Sequence, residues 1–349
     1  MAAWVIFGVL TAVFAVSLAV RLAGGPAALE VSDVVPWAGL IAFFFLLASV
    51  GGGLLVVSAL VSCSLLPVLA SYQRRISWGA VVCLVSAGLM VLIDLGRPER
   101  VLNMVLHVQI VSPFAWDFVF LALSVALGFV CAVRKPGRVL ACAAGLSGAA
   151  VMVVEGVIFV VSSGRDFWHS SSVPLLFLLE GVVAGFAIVA FVAPRGDGRL
   201  VRVLAALLAA LLLFEAAEWV YAYLPLTGAA GDLALLIAGP LSPLYWFQIA
   251  ACTALPIVLL LAVPREAVVR VSCVLALVGI VAAKLTFLLA GQSVDILGAF
   301  HAYVPSLLEV GLGVGSVGLA GLLFLVGARF LPLGAAGDGR TVDVQAVRA

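Results

Sequence analysis

The chain has 349 residues, of which 65% are hydrophobic and only 10% charged, and its formal net charge is +1. Soluble domains are nearer half apolar and a quarter charged, so a water-soluble fold could not bury this much apolar surface. The mean hydropathy of +1.33 therefore predicts an integral membrane protein without room for a separate soluble domain. The near-zero net charge gives no information about partners.

The apolar runs are continuous, which predicts an all-α protein. A run such as VLAALLAALLLF at residues 203–214 lacks the alternating polarity of a membrane β-barrel strand. Lipid offers no water to backbone amides, so helices that bond internally are the remaining choice. The first apolar run has no small-residue cleavage site after a basic start, and we expect it to be a retained helix.

Breaks rich in charge, Gly and Pro divide the chain into about ten transmembrane helices within a single transmembrane domain, residues 1–330. The second is long enough to tilt or bend at Gly51, Gly52 and Gly53. Residues 331–349 are predicted to form a disordered cytoplasmic tail. The expected helices are 3–22, 36–66, 77–95, 113–133, 139–161, 173–193, 200–224, 243–263, 269–290 and 305–328.

The distribution of Lys and Arg predicts the orientation. With a cytoplasmic N-terminus, thirteen of these residues fall in inner connections and the tail, and four (Arg21, Arg97, Arg100 and Arg165) fall in outer connections. Positive residues concentrate on the cytoplasmic side of membrane proteins. Both termini are therefore predicted to be cytoplasmic.

Ionisable residues inside a membrane are costly and are kept mainly where they face a partner, a cavity or a substrate path. All those in this chain fall in the predicted outer half, which indicates a polar cavity that binds a ligand and exchanges protons with the outer compartment. Interfacial or structural pairing is the alternative for each of them. They are Asp94, Asp117, Glu155, Glu180, Glu215, Glu218, Lys284 and Glu309.

The sharpest local pattern runs from Asp94 to Asp117. Gly and Pro residues end one helix after Asp94, and Pro113 restarts another just before Asp117. The two carboxylates are expected to frame a polar loop that contains Arg97 and His107. An Asp–Arg pair could hold this loop rigid, and a carboxylate or imidazole at this depth could deprotonate a quinol hydroxyl.

This stretch, LIDLGRPERVLNMVLHVQIVSPFAWD, resembles the signature of the NrfD-like family, the membrane subunits of polysulfide reductase and related molybdenum enzymes and hydrogenases. The resemblance extends to Pro36-Trp37, Phe167-Trp168, Gly239-Pro240 and the segment from Tyr303 to Ser306. Ten helices are similar to the longer branch of the family, which includes hydrogenase and alternative complex III membrane subunits.

The resemblance implies two four-helix bundles plus two extra helices, with no haem, iron-sulfur cluster or metal in the chain. It also implies a membrane anchor subunit that exchanges electrons between a quinone and an iron-sulfur subunit on the outer face. The quinone would be menaquinone or ubiquinone. A molybdopterin or hydrogenase-type catalytic subunit would complete the complex. Such a subunit acts as part of a quinone-linked oxidoreductase and is not active alone.

The resemblance also implies site residues. Asp94, Arg97 and Glu155 are the expected catalytic residues, with Asp94 exchanging a proton and Arg97 orienting it. His107, Trp116 and Asp117 are expected, with Asp94, to contact the quinone. The chain departs from some relatives in two places. It has Val154-Glu155-Gly156 where those relatives carry Tyr-x-Gly, and Ser62-Cys63-Ser64 where they carry a His.

Three other interpretations compete with this one. An ion-coupled secondary transporter also has about ten helices with buried charges, but its site is expected near the midplane. A structural anchor without a quinone site would leave the buried Glu155 and Lys284 unexplained. The histidines lie outside the helices and the cysteines lie singly, a pattern that disfavours haem, zinc and iron-sulfur sites.

Overall fold

The computed structural model describes residues 1–25, 28–37, 39–95, 99, 101–107, 109–162, 164–165, 167–192, 198–224, 230–263, 265–294 and 299–334. Ten helices within these ranges are long and apolar enough to cross a membrane. The predicted class, an all-helical polytopic membrane protein, is confirmed. From residue 335 onward the predicted tail lies outside the described residues.

The helices are α1 (Ala2–Gly24), α2 (Gly39–Ser62), α3 (Gln73–Asp94), α4 (Val101–Leu106), α5 (Pro113–Val133), α6 (Arg138–Val160), α7 (Val173–Val192), α8 (Gly198–Ala222), α9 (Ala230–Ile237), α10 (Ser242–Trp246), α11 (Leu255–Ala262), α12 (Glu266–Ala290) and α13 (Leu307–Phe330). A 3₁₀ turn over Pro67–Tyr72 leads into α3. A π-helix over Phe247–Ala254 joins α10 to α11, and the three form one span. The sequence did not predict the short helices α4 and α9.

The loops at one end of the bundle are tied together, and we call this the outer end, following the orientation predicted above. Trp37 before α2 exchanges two hydrogen bonds with Gln292 after α12. The Gly39 amide donates to the Tyr303 hydroxyl at 3.0 Å, and Arg165 donates to the Gln292 carbonyl at 3.4 Å. Connections far apart in the chain therefore meet at this end.

The opposite, inner end is closed by arginines. Arg74 at the start of α3 donates to the carbonyls of Ala132 and Val133 at the end of α5, at 2.9 and 2.7 Å. Arg75 donates to the Gly334 carbonyl at 2.7 Å. The Arg74 contacts satisfy two carbonyl groups that the end of α5 leaves without an intrahelical partner.

Helix α2 lies at the centre of the fold and is α-helical throughout, including its three glycines. Gly53 contacts Gly181 and Gly185 of α7, and Gly52 contacts Gly148 of α6. A Cβ atom on Gly53 would overlap the Gly181 carbonyl oxygen. Small residues let helix backbones approach closely in membranes, where apolar surface alone does not drive association.

The helices form two groups around α2. Helices α2, α3, α5 and α6 pack together, and α7, α8, α12 and the α10 to α11 span form the second group. Helix α2 also contacts α7 and α12, which joins the groups, while α1 pairs with α13 against α3 and α2. This matches the two four-helix bundles plus two extra helices that the resemblance implies.

Candidate functional site

A buried ion pair joins two helices of the second bundle. Lys284 of α12 places its Nζ atom 2.5 Å from Oε2 of Glu180 on α7, and the two side chains are only 1% and 3% exposed. The ammonium group also lies 2.9 Å from the ring centroid of Phe177 and 5.7 Å from that of Phe45. Burial of either charge alone would cost several kcal/mol, so each requires the other.

Two further carboxyl groups extend this cluster into the first bundle. Glu155 of α6 is completely buried, and neither of its carboxylate oxygens has a hydrogen-bond partner among the described residues. It interacts electrostatically with Asp117, Lys284 and Glu180. Oδ1 of Asp117, in the first turns of α5, is likewise buried without a partner in the described part of the chain. Four helices therefore each contribute one ionisable group to a cluster that is linked by the ion pair and by electrostatic interactions.

An outer-half cavity of about 410 Å³ lies beside the ion pair, between α7, α8, α12 and the π-helix. Its walls are largely apolar and aromatic, and include Phe167, Trp219 and Phe287. Its polar groups come from Glu180, Glu215, Glu218, Tyr245, Gln248 and a short outer loop. His169, Ser171 and Tyr221 line it and are exposed, so the cavity opens toward the outer end.

Hydrogen bonds organise the polar side of the cavity. Gln248 Nε2 donates to Glu215 Oε1 at 3.1 Å, and the Tyr245 hydroxyl donates to Glu215 Oε2 at 3.3 Å. Trp219 donates to the Tyr245 oxygen. Oε1 of Gln248 is buried and has no partner among the described residues. This network therefore contains one buried acceptor without a partner in the described part of the chain.

The π-helix brings Gln248 to this position. The Thr253 hydroxyl donates to the Gln248 carbonyl at 3.1 Å, a contact five residues back along the chain. The wider turn of a π-helix changes the direction of the side chains that follow it, and such turns occur frequently at functional sites. Gln248 lies in the first turn of this π-helix and Tyr245 just before it, and both contact Glu215 of α8.

A cluster of aromatic rings separates the cavity from the first bundle. Trp168 is buried and donates to the Phe287 carbonyl at 2.9 Å. It stacks on Trp37 with ring centroids 6.0 Å apart and meets Phe159 edge-on at 5.0 Å. Phe287, at 5.0 Å from Phe159, lines the cavity itself. This wall joins the two bundles and fixes one side of the cavity.

Asp94 belongs to a different cluster. It is half-buried at the end of α3 and interacts electrostatically with Arg21 of α1 and Glu309 of α13. Glu309 forms a capping box with Ser306 and accepts a hydrogen bond from the Tyr303 hydroxyl at 2.9 Å. Burial, and secondarily the Glu309 charge, raises the pKa of Tyr303 above its ordinary value, so this hydroxyl stays a donor.

Comparison with known proteins gives a clear assignment. A family model, "Polysulphide reductase, NrfD", matches residues 28–295, which contain the cavity and the buried ionisable cluster. The chain belongs to the NrfD family. It is also 26% identical, over 318 residues and 72% of each chain, to a Halobacterium salinarum protein provisionally named as a membrane subunit of dimethyl sulfoxide reductase. As an NrfD protein, the chain is a membrane subunit associated with a reductase complex.

The NrfD structure separates the site residues that the sequence predicted. Asp117 and Glu155 lie together beside Lys284, whereas Asp94 lies with Arg21 and Glu309. Arg97, predicted to orient Asp94, lies outside the described residues. His107 is exposed after α4, and Trp116 is 42% exposed and donates to the Ile110 carbonyl at 2.7 Å. Among the described residues, none of the predicted site residues lines the cavity, and their roles stay predictions.

Sequence reasoning missed Tyr245, Gln248, Trp219 and the buried Arg21. A signal existed for Gln248, because it is the one amide in a span that is otherwise apolar. Arg21 looked like an ordinary residue of an outer connection, but only 5% of it is exposed. Among the described residues, no group of three or more His, Cys, Asp or Glu side chains could hold a metal ion.

Proposed function

We propose that this NrfD protein is the quinone-reactive membrane anchor subunit of an oxidoreductase complex, and that the quinone head group binds in the outer-half cavity. The observation that carries the proposal is the cavity itself. Its volume of about 410 Å³ falls within the range of roughly 300–1,000 Å³ typical of ligand sites. Flat aromatic walls and a few polar groups suit a flat ring that carries two oxygen atoms.

The polar groups match the hydrogen bonds that a quinone and a quinol need. The unpartnered Oε1 atom of Gln248 can accept a hydrogen bond from a quinol hydroxyl. The Tyr245 hydroxyl can donate to a quinone carbonyl when it turns away from Glu215. Glu215 contacts both side chains and can exchange the proton. Chemistry at this position would take place in the outer half of the membrane.

The electrons would pass to or from an iron-sulfur subunit docked on the outer face, and from there to a molybdopterin or hydrogenase-type catalytic subunit. The name of the Halobacterium relative supports a reductase partner and makes dimethyl sulfoxide the first acceptor to test. The proposed location is the inner membrane of a bacterial or archaeal cell, with both termini cytoplasmic. Asp94 retains its proposed role as a proton acceptor or donor near the outer surface.

The test compares Glu215→Gln with Glu266→Gln in the purified complex. Both changes remove one carboxylate, but Glu266 is an exposed residue at the inner end. Quenching of tryptophan fluorescence measures the binding of decyl-ubiquinone and a short-chain menaquinone. Turnover is measured as the rate of quinol oxidation with dimethyl sulfoxide as the electron acceptor. We expect Glu215→Gln to weaken binding or turnover at least tenfold and the control to match the wild type.

Equal binding and turnover in Glu215→Gln and the wild type would contradict the cavity as the head-group site. Absence of quinone binding by the wild-type complex, with both quinones, would contradict the function itself. A chain that purifies alone and moves a solute would favour the transporter interpretation.

A further inference from the structure

We infer that Glu180, Lys284, Glu155 and Asp117 form a proton relay that connects the quinone cavity with the outer part of the first bundle. The inference rests on the proposed function, since it supplies a route for the protons of that reaction. Oxidation of one quinol gives one quinone, two electrons for the iron-sulfur partner and two protons. Reduction takes up the same electrons and protons. The cavity opens to the outer end past His169 and Ser171, and the relay gives protons a second route, from the deeper side of the cavity at Glu180.

The relay begins at the cavity with Glu180. This residue lines the large cavity and also a small space of about 10 Å³, which it shares with Gln248 and Thr253. The other walls of this space are apolar, and its size is about enough for one water molecule bound by these three side chains. Such a water would connect Gln248, and through it Glu215, with the Glu180 carboxylate.

The middle of the relay is the ion pair and its neighbour. Lys284 contacts Glu180 directly at 2.5 Å, and Glu155 lies within electrostatic range of both. A structural role accounts for Glu180 and Lys284, which neutralise each other. It does not account for Glu155, because a fully buried carboxyl group without a hydrogen-bond partner in the described residues destabilises the fold.

The far end of the relay is Asp117. It lies close to the outer end of α5 and is only partly buried, although one of its oxygens has no partner among the described residues. Its electrostatic interaction with Glu155 links it to the middle. The relay therefore crosses from the second bundle to the first, and both of its ends lie in the outer half of the membrane.

The test uses Glu155→Gln in the purified complex, because Glu155 does not line the cavity. Reduced benzyl viologen donates electrons to the soluble half, and decyl-ubiquinone accepts two electrons and two protons. Glu155→Asp keeps an acid at the position. The control Ser147→Ala removes another buried polar group of α6, about 12 Å nearer the inner end.

We expect Glu155→Gln to lower kcat about tenfold or more, to increase the solvent deuterium isotope effect and to leave the fluorescence-measured quinone affinity unchanged. Glu155→Asp should recover part of the rate, and Ser147→Ala should match the wild type. If Glu155→Gln has the kcat and isotope effect of the wild type while Glu215→Gln is defective, the relay is overturned and the proposed function is still supported.

If neither Glu155→Gln nor Glu215→Gln alters quinone turnover, the proposed function itself is contradicted. If Glu155→Gln does not assemble, Asp117→Asn decides by the same criteria, since Asp117 is the partly exposed end of the relay. A normal rate and isotope effect in an assembled Asp117→Asn complex would then overturn the relay.

Discussion

Lys284 and Glu180 form an ion pair of 2.5 Å between α12 and α7, and almost none of either side chain is exposed. Glu180 lines the outer cavity, and Lys284 interacts electrostatically with the buried Glu155. The pair therefore lies between the polar cavity of the second bundle and the buried carboxyl groups of the first bundle. The same position makes the fold sensitive to the loss of either charge.

Removal of one partner should destabilise the protein more than removal of both. Lys284→Met leaves the Glu180 carboxylate buried without a cation, and breaking a buried pair in this way typically costs about 3–5 kcal/mol. We expect a clear fall in the thermal unfolding midpoint in detergent. The double variant Lys284→Met and Glu180→Met should recover much of it, because no unpaired charge remains. A double variant less stable than both single variants would contradict this account.

Close packing of α2 against α7 gives a second prediction. Gly53→Ala places a methyl group where the Gly181 carbonyl lies, so the helices must separate. We expect the yield of monodisperse protein after detergent extraction to fall severalfold. Gly8→Ala is the matched control, since nothing lies within 4 Å of a Cβ atom at that position of α1. Equal yields from the two variants would show that α2 and α7 tolerate a larger separation.

The number of spans was predictable because the lipid environment restricts the chain to helices whose length the hydrocarbon thickness sets. The division of the chain into spans also predicted that the ionisable residues lie near the outer ends of the helices. The cavity was not predictable, because Glu215 and Gln248 meet only when α8 packs against the π-helix. The interaction of Arg21 of α1 with Asp94 was not predictable either, because the two residues are far apart in the chain. The predicted partner of Asp94, Arg97, lies outside the described residues.

Asp94 provides the test of the sequence-based site. Asp94→Asn keeps the size of the side chain but cannot exchange a proton, and we expect quinone-linked turnover to fall by a factor of ten or more. The complex should assemble, and its soluble half should stay active with artificial dyes. Asp33→Asn removes an exposed outer carboxylate and should have no effect. Unchanged quinone-linked turnover in Asp94→Asn would show that Asp94 takes no part in the proton exchange of the reaction.

The depth of the titratable groups leads to a prediction about proton movement. In the described spans, the inner half contains arginines near the helix ends and Glu266 in the first turn of α12, while every other Asp, Glu and Lys lies in the outer half. A path across the bilayer needs titratable or well-hydrated groups along its whole length. We therefore expect quinone turnover in sealed, oriented vesicles to change the pH only by the scalar chemistry on the outer side. The measurement uses a trapped pH dye, with an uncoupler as control. Uncoupler-sensitive proton transfer beyond the scalar stoichiometry would show that water or backbone groups complete a path through the inner half.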